Sequence, residues 1–191
     1  MTFFLQLLLL CCVCISYLQS NVHNTSFQNE QLLRNAISDG SQLLLQNQNE
    51  DGSWGTAQKT KGLNIYAPIP GAHRAFRLAC TALSMTALLD VQKDNLAFQD
   101  TITRGKEYLL ENLSNLRRAT PMALYNVWSH AYGIQALVRL FKFSTDENEK
   151  EKIWGLIRQQ ISMLQKYESI DGGWGYYDFN AQTKQPSGSS I

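Results

Sequence analysis

The sequence is poor in cysteine. Four occur, and three of them, Cys11, Cys12 and Cys14, fall within the first twenty residues. Beyond that stretch only Cys80 remains, so no internal disulfide can form there, and no Cys and His set has the spacing of a zinc site. The sequence also has little net charge. With 17 basic and 16 acidic side chains, there is no sequence-wide field to draw in nucleic acid or an anionic membrane, and nucleic acid is set aside as a partner. Four prolines and twelve glycines in 191 residues that are 44% hydrophobic do not make a low-complexity or disordered chain. After residue 28 there is no run of alternating β-branched residues long enough for a sheet.

What is present begins with an uncharged stretch, "MTFFLQLLLLCCVCISYLQS", apolar from Phe3 to Leu18 apart from Gln6 and Ser16. It is too short and too poorly flanked for a comfortable membrane span, but it suits the apolar core of a secretory signal. Cleavage after Ser16 would use the small residues Cys14 and Ser16; cleavage after Ser20 is the alternative. No Lys or Arg stands near Met1, a departure that keeps an uncleaved membrane anchor as the rival. Residues 1–20 are thus read as a signal peptide, 21–28 as a short linker and 29–191 as one repeat domain. The expected protein is exported and touches membrane only through its first segment. Asn24-Thr25-Ser26 and Asn112-Leu113-Ser114 fit the glycosylation acceptor pattern.

From residue 29 the apolar spacing is helical, and it predicts helices over about 29–47, 72–91, 98–116, 121–143 and 147–167. They differ in kind. In 98–116, Ile102, Leu109, Leu110, Leu113 and Leu116 share one side while Arg104, Lys106, Glu107 and Glu111 face away, which is a helix with a single buried stripe. In 72–91 and 121–143 apolar residues point in nearly every direction, which predicts interior helices. The order is therefore exposed, interior, exposed, interior, exposed. The interior pair align without gaps, "SMTALL" (84–89) over "GIQALV" (133–138), at an offset of 49 residues. A period near that length marks a helical repeat array, in which each hairpin buries one face on its neighbour.

Two turns punctuate the array. "EDGSWG" at 50–55 returns as "IDGGWG" at 170–175, and in both Asp51-Gly52-x-Trp54 and Asp171-Gly172-x-Trp174 the glycine supplies left-handed backbone while the indole can fold over the helix ends. "NQNEDG" (47–52) also echoes the start of a calcium loop. Its first ligand is Asn47 and its last position is Gln58, so two negative charges are missing and the structural turn is preferred; no metal is expected.

Arg104-Gly105-x-x-Tyr108-Leu109, Gln46 with Gly52-x-Trp54, and Gln165 with Gly172-x-Trp174 resemble the two halves of the QW repeat of squalene and oxidosqualene cyclases. The resemblance spans residues 29–179. It implies the α/α toroid that those enzymes share with protein prenyltransferase β subunits and with thioester-containing complement domains, an inner ring of helices around a cavity and an outer ring outside. The expected fold class is accordingly all-α, a partial α/α toroid of antiparallel helical hairpins with inner and outer helices alternating. The catalytic signatures of these families are missing: no Asp-x-Asp-Asp cluster, no Asp-Cys-Thr-Ala run, no Asp two residues before Cys80 for a zinc set, no Gly-Cys-Gly-Glu-Gln thioester. The step from Trp54 to the next interior helix, taken again from Trp174, passes Ile191, so the array is expected to be incomplete at the C-terminus.

Advancing about 100° per residue from His73, Arg77, Cys80, Thr81, Ser84 and Leu88 gather on one side of the first interior helix. The offset of 49 matches Arg77, Thr81 and Ser84 to Asn126, His130 and Gly133. Either this is a polar seam satisfied by neighbouring helices, or His73, Arg77, Thr81, Asn126 and His130 line the cavity and orient a ligand. A second face of the later helix, with Tyr125, Trp128, Tyr132 and Arg139, is core or else an aromatic-lined pocket for isoprenoids or sugars. Helical phase does not choose between the two sides.

Three functions follow: an exported binding or scaffold toroid for an unknown small molecule or carbohydrate, without a cofactor; a terpenoid cyclase or prenyltransferase whose catalytic residues lie beyond Ile191; a secreted polysaccharide lyase or hydrolase. The first is preferred, because the repeat is scaffolding and no catalytic motif accompanies it. Fold alone does not choose among them.

Overall fold

A computed structural model describes residues 27–56, 72–91, 98–118 and 124–175; the expected signal peptide and most of the linker after it lie outside the described residues. The regular elements among the described residues are all helices, with no extended strand. Residues 27–46 form α1, followed by α2 (Ala72–Val91), α3 (Gln99–Asn112, tightening into a 3-10 turn over Leu113–Asn115), α4 (Val127–Phe143) and α5 (Glu147–Tyr167). The chain divides into two compact units, Met1–Leu43 and Leu44–Ile191. In the first, α1 is held by local bonds such as Glu30 to Arg34 (2.6 Å) and the Ser41 hydroxyl to the Ile37 carbonyl (2.7 Å), and it leaves Phe27, Leu32, Leu33 and Ile37 exposed.

Helices α2 and α5 have the limits their apolar spacing predicts. Asp146 caps α5 by accepting the Asn148 N–H (2.9 Å), and Glu147 and Glu149 at its start and Lys166 at its end complement the helix dipole. Helices α3 and α4 differ from expectation. The fourth helix starts at Val127, well after the predicted 121, because Leu124 to Val127 closes as a turn (3.2 Å) that sends Leu124, Tyr125 and the Asn126 side chain inward. The third stops at Asn112, since the 3-10 turn buries Leu113 and the backbone is extended by Leu116.

The main hydrophobic core of the second unit joins four helices, with a smaller cluster of Leu124, Val127 and Tyr167 apart from it. Leu78, Met85 and Leu88 of α2 meet Leu109 of α3, Leu137 of α4 and Ile153 of α5. Two helical glycines permit close approaches between elements: a Cβ on Gly105 would overlap the Met85 sulfur, and one on Gly133 would press on Leu113. Contacts fix the helix directions. The Ser129 hydroxyl donates to the Ala75 carbonyl near the starts of α4 and α2, and Arg139 pairs with Asp90 near their ends, so the two run parallel. His130 with Gln160 and Phe141 with Trp154 make α5 antiparallel to α4. Lys106 with Glu149 and Leu113 with Gln160 make α3 parallel to α5.

Neither α2 nor α4 is enclosed all round. Cys80, Leu83 and Ala87 form an exposed stripe on α2, and Trp128, Gln135 and Val138 form one on α4. Apolar spacing overstates the enclosure here, because alanine and a few large side chains on the open side read the same as core.

Candidate functional site

The two tryptophan turns are built alike. In the first, the Asn49 N–H donates to the Ser53 carbonyl (2.8 Å), the Gly52 N–H to the Asn49 carbonyl (2.9 Å), and the Trp54 indole to the Leu44 carbonyl (2.8 Å). In the second, the matching bonds are Ser169 to Gly173 (3.0 Å), Gly172 to Ser169 (2.9 Å) and the Trp174 indole to Leu164 (2.7 Å). Gly52 and Gly172 take nearly the same left-handed φ, 83° and 85°, which favours glycine at both.

Asp51 knits the first turn together, its carboxylate accepting from the Ser53 N–H (3.1 Å) and hydroxyl (2.6 Å) and pairing with Arg77 (3.1 Å). Partial burial by itself would raise its pKa, but the Ser53 bonds and the Arg77 charge outweigh that and hold it below the usual carboxylate range. Asn47, Asn49 and Asp51 would be the first calcium ligands; Asn49 is instead bonded to Ser53 and Gly55 and Asp51 to Ser53 and Arg77, and Gln58 lies outside the described residues. No group of three His, Cys, Asp or Glu among the described residues could hold a metal ion.

The glutamines singled out for the repeat, Gln46 and Gln165, are both exposed and do not correspond: matching Trp54 to Trp174 sets Gln46 against Lys166 and Gln165 against Leu45. The amide that ties the first turn to α3 is Gln48, which donates to the carbonyls of Gly52 and Thr101, each at 2.9 Å. Sequence spacing pointed two residues too early because it cannot see which amide faces the neighbouring helix. Gly105 sits beneath the Trp54 ring, and Tyr108 lies under the Arg77 guanidinium at 5.9 Å. Burial raises the Tyr108 phenol pKa.

The expected cavity residues separate into two groups. Thr81 is fully buried, accepting the Trp54 N–H (3.0 Å) and donating to the Arg77 carbonyl (2.8 Å), so it and Arg77 serve the first turn. Asn126 and His130 are buried between α4 and α5. The Asn126 amide meets His130 Nε2 (3.1 Å), and His130 Nδ1 meets the Gln160 carbonyl oxygen (2.6 Å), while the Gln160 amide reaches the Leu113 carbonyl (3.5 Å). This arrangement puts the proton on Nδ1. Burial drives the His130 pKa down to about 4, only partly opposed by the Gln160 bond, so the imidazole is neutral at physiological pH. It stacks on Tyr167 (5.9 Å between centroids), with Arg118 over that ring at 4.8 Å. His73 is half-buried at the start of α2, one turn before Arg77.

Two concave or open features remain. The first is the open side of α2 and α4. There Trp128 and Tyr132 stack (5.9 Å, 26° between planes), Leu83 and Gln135 are exposed, and Asp90 and Arg139 join in a two-bond pair (2.7 and 2.9 Å) at one end. Of the aromatic face expected on this helix, Tyr125 alone is buried, tilted against Phe76 at 5.5 Å. The Arg139 bonds are the main cause holding the Asp90 carboxyl low. The second is a concavity of about 420 Å³ lined by Leu89, Gln99, Ile102, Leu140 and the Lys106–Glu149 pair (2.5 Å). The Lys106 bond, followed by one from Ser144, lowers the Glu149 pKa.

Sequence reasoning missed Ser129, Gln160 and the Asp90–Arg139 pair. The last was within reach, since its members stand at the repeat offset of 49 residues. No protein-family model, curated protein or solved structure matches the chain. No helix among the described residues is long and apolar enough to cross a membrane.

Proposed function

We propose that this protein is an exported binding or scaffold module made of repeated helical hairpins, a partial α/α toroid resembling those of squalene cyclases and protein prenyltransferase β subunits. In this reading α2 and α4 are inner helices, α3 and α5 are outer ones, and the ligand rests on the open side of the inner pair without being chemically changed. One observation carries the reading: α2 and α4 run parallel, joined by an ion pair at the repeat offset, and each keeps one stripe exposed. Both ring nitrogens of His130 are held by internal bonds, and a neutral buried imidazole is a poor general acid for a ligand on the other side. The Trp128–Tyr132 stack offers a flat apolar surface with Gln135 and the Asp90–Arg139 pair beside it for hydrogen bonds. Such a surface suits a carbohydrate or a compact apolar molecule.

The test is a fluorescence titration of the full chain with farnesol and, separately, with a neutral oligosaccharide. One class is expected to change tryptophan emission saturably, with affinity falling about tenfold or more in Trp128→Ala. No saturable response to either class, or a response that Trp128→Ala and Leu83→Arg leave intact, would sink the proposal.

A further inference from the structure

The second tryptophan turn repeats the bonds of the first, yet Trp54 is 4% exposed and Trp174 is 50% exposed. A Cβ added to Gly52 would overlap the Arg104 carbonyl, whereas one added to Gly172 or Gly173 meets nothing. Trp154 and Ile161 are also exposed, two helical turns apart on α5, and Trp174 is bonded to Leu164 just beyond them. Single exposed apolar side chains are ordinary; several along one edge, ending in a preformed turn, make a surface that gains by being covered.

We propose that this edge of α5 docks a helical hairpin from a second polypeptide, built on the pattern of α2 and α3. The occupant follows from the interface already present at the first turn. There, the first helix of the hairpin supplies a hydroxyl for the tryptophan N–H, Thr81, and one turn earlier a cation for the aspartate, Arg77. The second helix supplies a glycine under the indole, Gly105, next to the carbonyl that meets Gly52. The second turn presents Asp171, Gly172 and Trp174 in the same order, with Trp174 and Gly172 held by the same bonds, Asp171 exposed beside them and Gly173 in place of Ser53. A matching hairpin needs a hydroxyl one turn after an arginine on one helix and an unobstructed glycine on the other. The inference uses a different surface from the open side of α2 and α4 and stands whatever that side binds.

The experiment adds a fluorescein-labelled synthetic peptide with the sequence of residues 72–118 to the full chain and follows anisotropy. Saturable binding is expected, weakened about tenfold or more by Trp174→Ala or Ile161→Arg in the chain and by Gly105→Leu in the peptide, and unchanged by Trp128→Ala. Both chain substitutions are at exposed side chains, and circular dichroism checks that the helices persist in the chain and that the peptide is helical under the conditions of the titration. Failure of the peptide to bind, binding that ignores Trp174→Ala, or equal binding of the Gly105→Leu peptide would each overturn the proposal. So would a Trp174-dependent emission shift with phosphatidylcholine–phosphatidylglycerol vesicles and none with the peptide, which would assign the edge to a lipid surface.

Discussion

The two tryptophan turns share their backbone bonds and the left-handed glycine after the aspartate, and they differ in what lies over them. The first is pressed between α2 and α3, where Thr81 and Gly105 were shaped to receive it. The second stands at the edge of α5 with its indole half in solvent. Local sequence therefore makes the turn, and a neighbouring hairpin makes it part of a core. An identical motif can stabilise the fold in one place and remain a surface in another.

The largest expected effect breaks this comparison directly. Trp54→Ala should cost about 3–5 kcal/mol, the range for truncating a buried aromatic, whereas Trp174→Ala should cost well under about 1 kcal/mol, as surface substitutions do. Urea unfolding of the two variants would measure the difference; equal losses would mean that the turns are energetically equivalent after all.

Acid should act on the α4–α5 region that carries the second turn. The His130 pKa is depressed to about 4, below its ordinary 6.5, so the unfolded chain takes up a proton that the folded chain refuses. Stability from this group is present above pH 6.5, falls as pH drops through the window down to about 4, and amounts to about 3 kcal/mol in all. Urea midpoints at pH 7 and pH 4.5 should show the loss, and His130→Gln should flatten it. An unchanged slope in that variant would place the acid sensitivity elsewhere.

Glycine substitution sharpens the contrast further. Gly172→Ala should cost about 1 kcal/mol, the strain of a Cβ in left-handed backbone. Gly52→Ala should cost at least about twice that, because its Cβ must also displace the Arg104 carbonyl. Thermal unfolding of the pair tests it, and equal shifts would show that α3 yields freely. The smallest effect belongs to Arg139→Gln. Its pair with Asp90 is largely exposed, so the loss should stay below about 1 kcal/mol and shrink further in high salt.

Much of this organisation could be read before any coordinates. The limits of α2 and α5 followed from apolar spacing, and the paired turns followed from Asp-Gly-x-Trp-Gly. Helix ends were less legible where the chain tightens instead of stopping: the 3-10 turn at Leu113 still reads as helix, since Leu113 and Leu116 keep the helical spacing. The candidate site divided along the same line. Thr81, Asn126 and His130 were placed on one side of their helices by phase, but phase has no zero. Whether that side faces ligand, a turn or another helix is set by the neighbours, here Trp54 for Thr81 and Gln160 for His130.

By itself the sequence determined the helices and the two left-handed glycine turns, because these rest on contacts within a few residues or on a fixed rise per residue. The tertiary structure alone decided which stripe of α2 and α4 stays open, that His130 is neutral and enclosed, and that one tryptophan is core while its twin is surface. Those outcomes depend on desolvation by residues far along the chain, a quantity no local pattern contains.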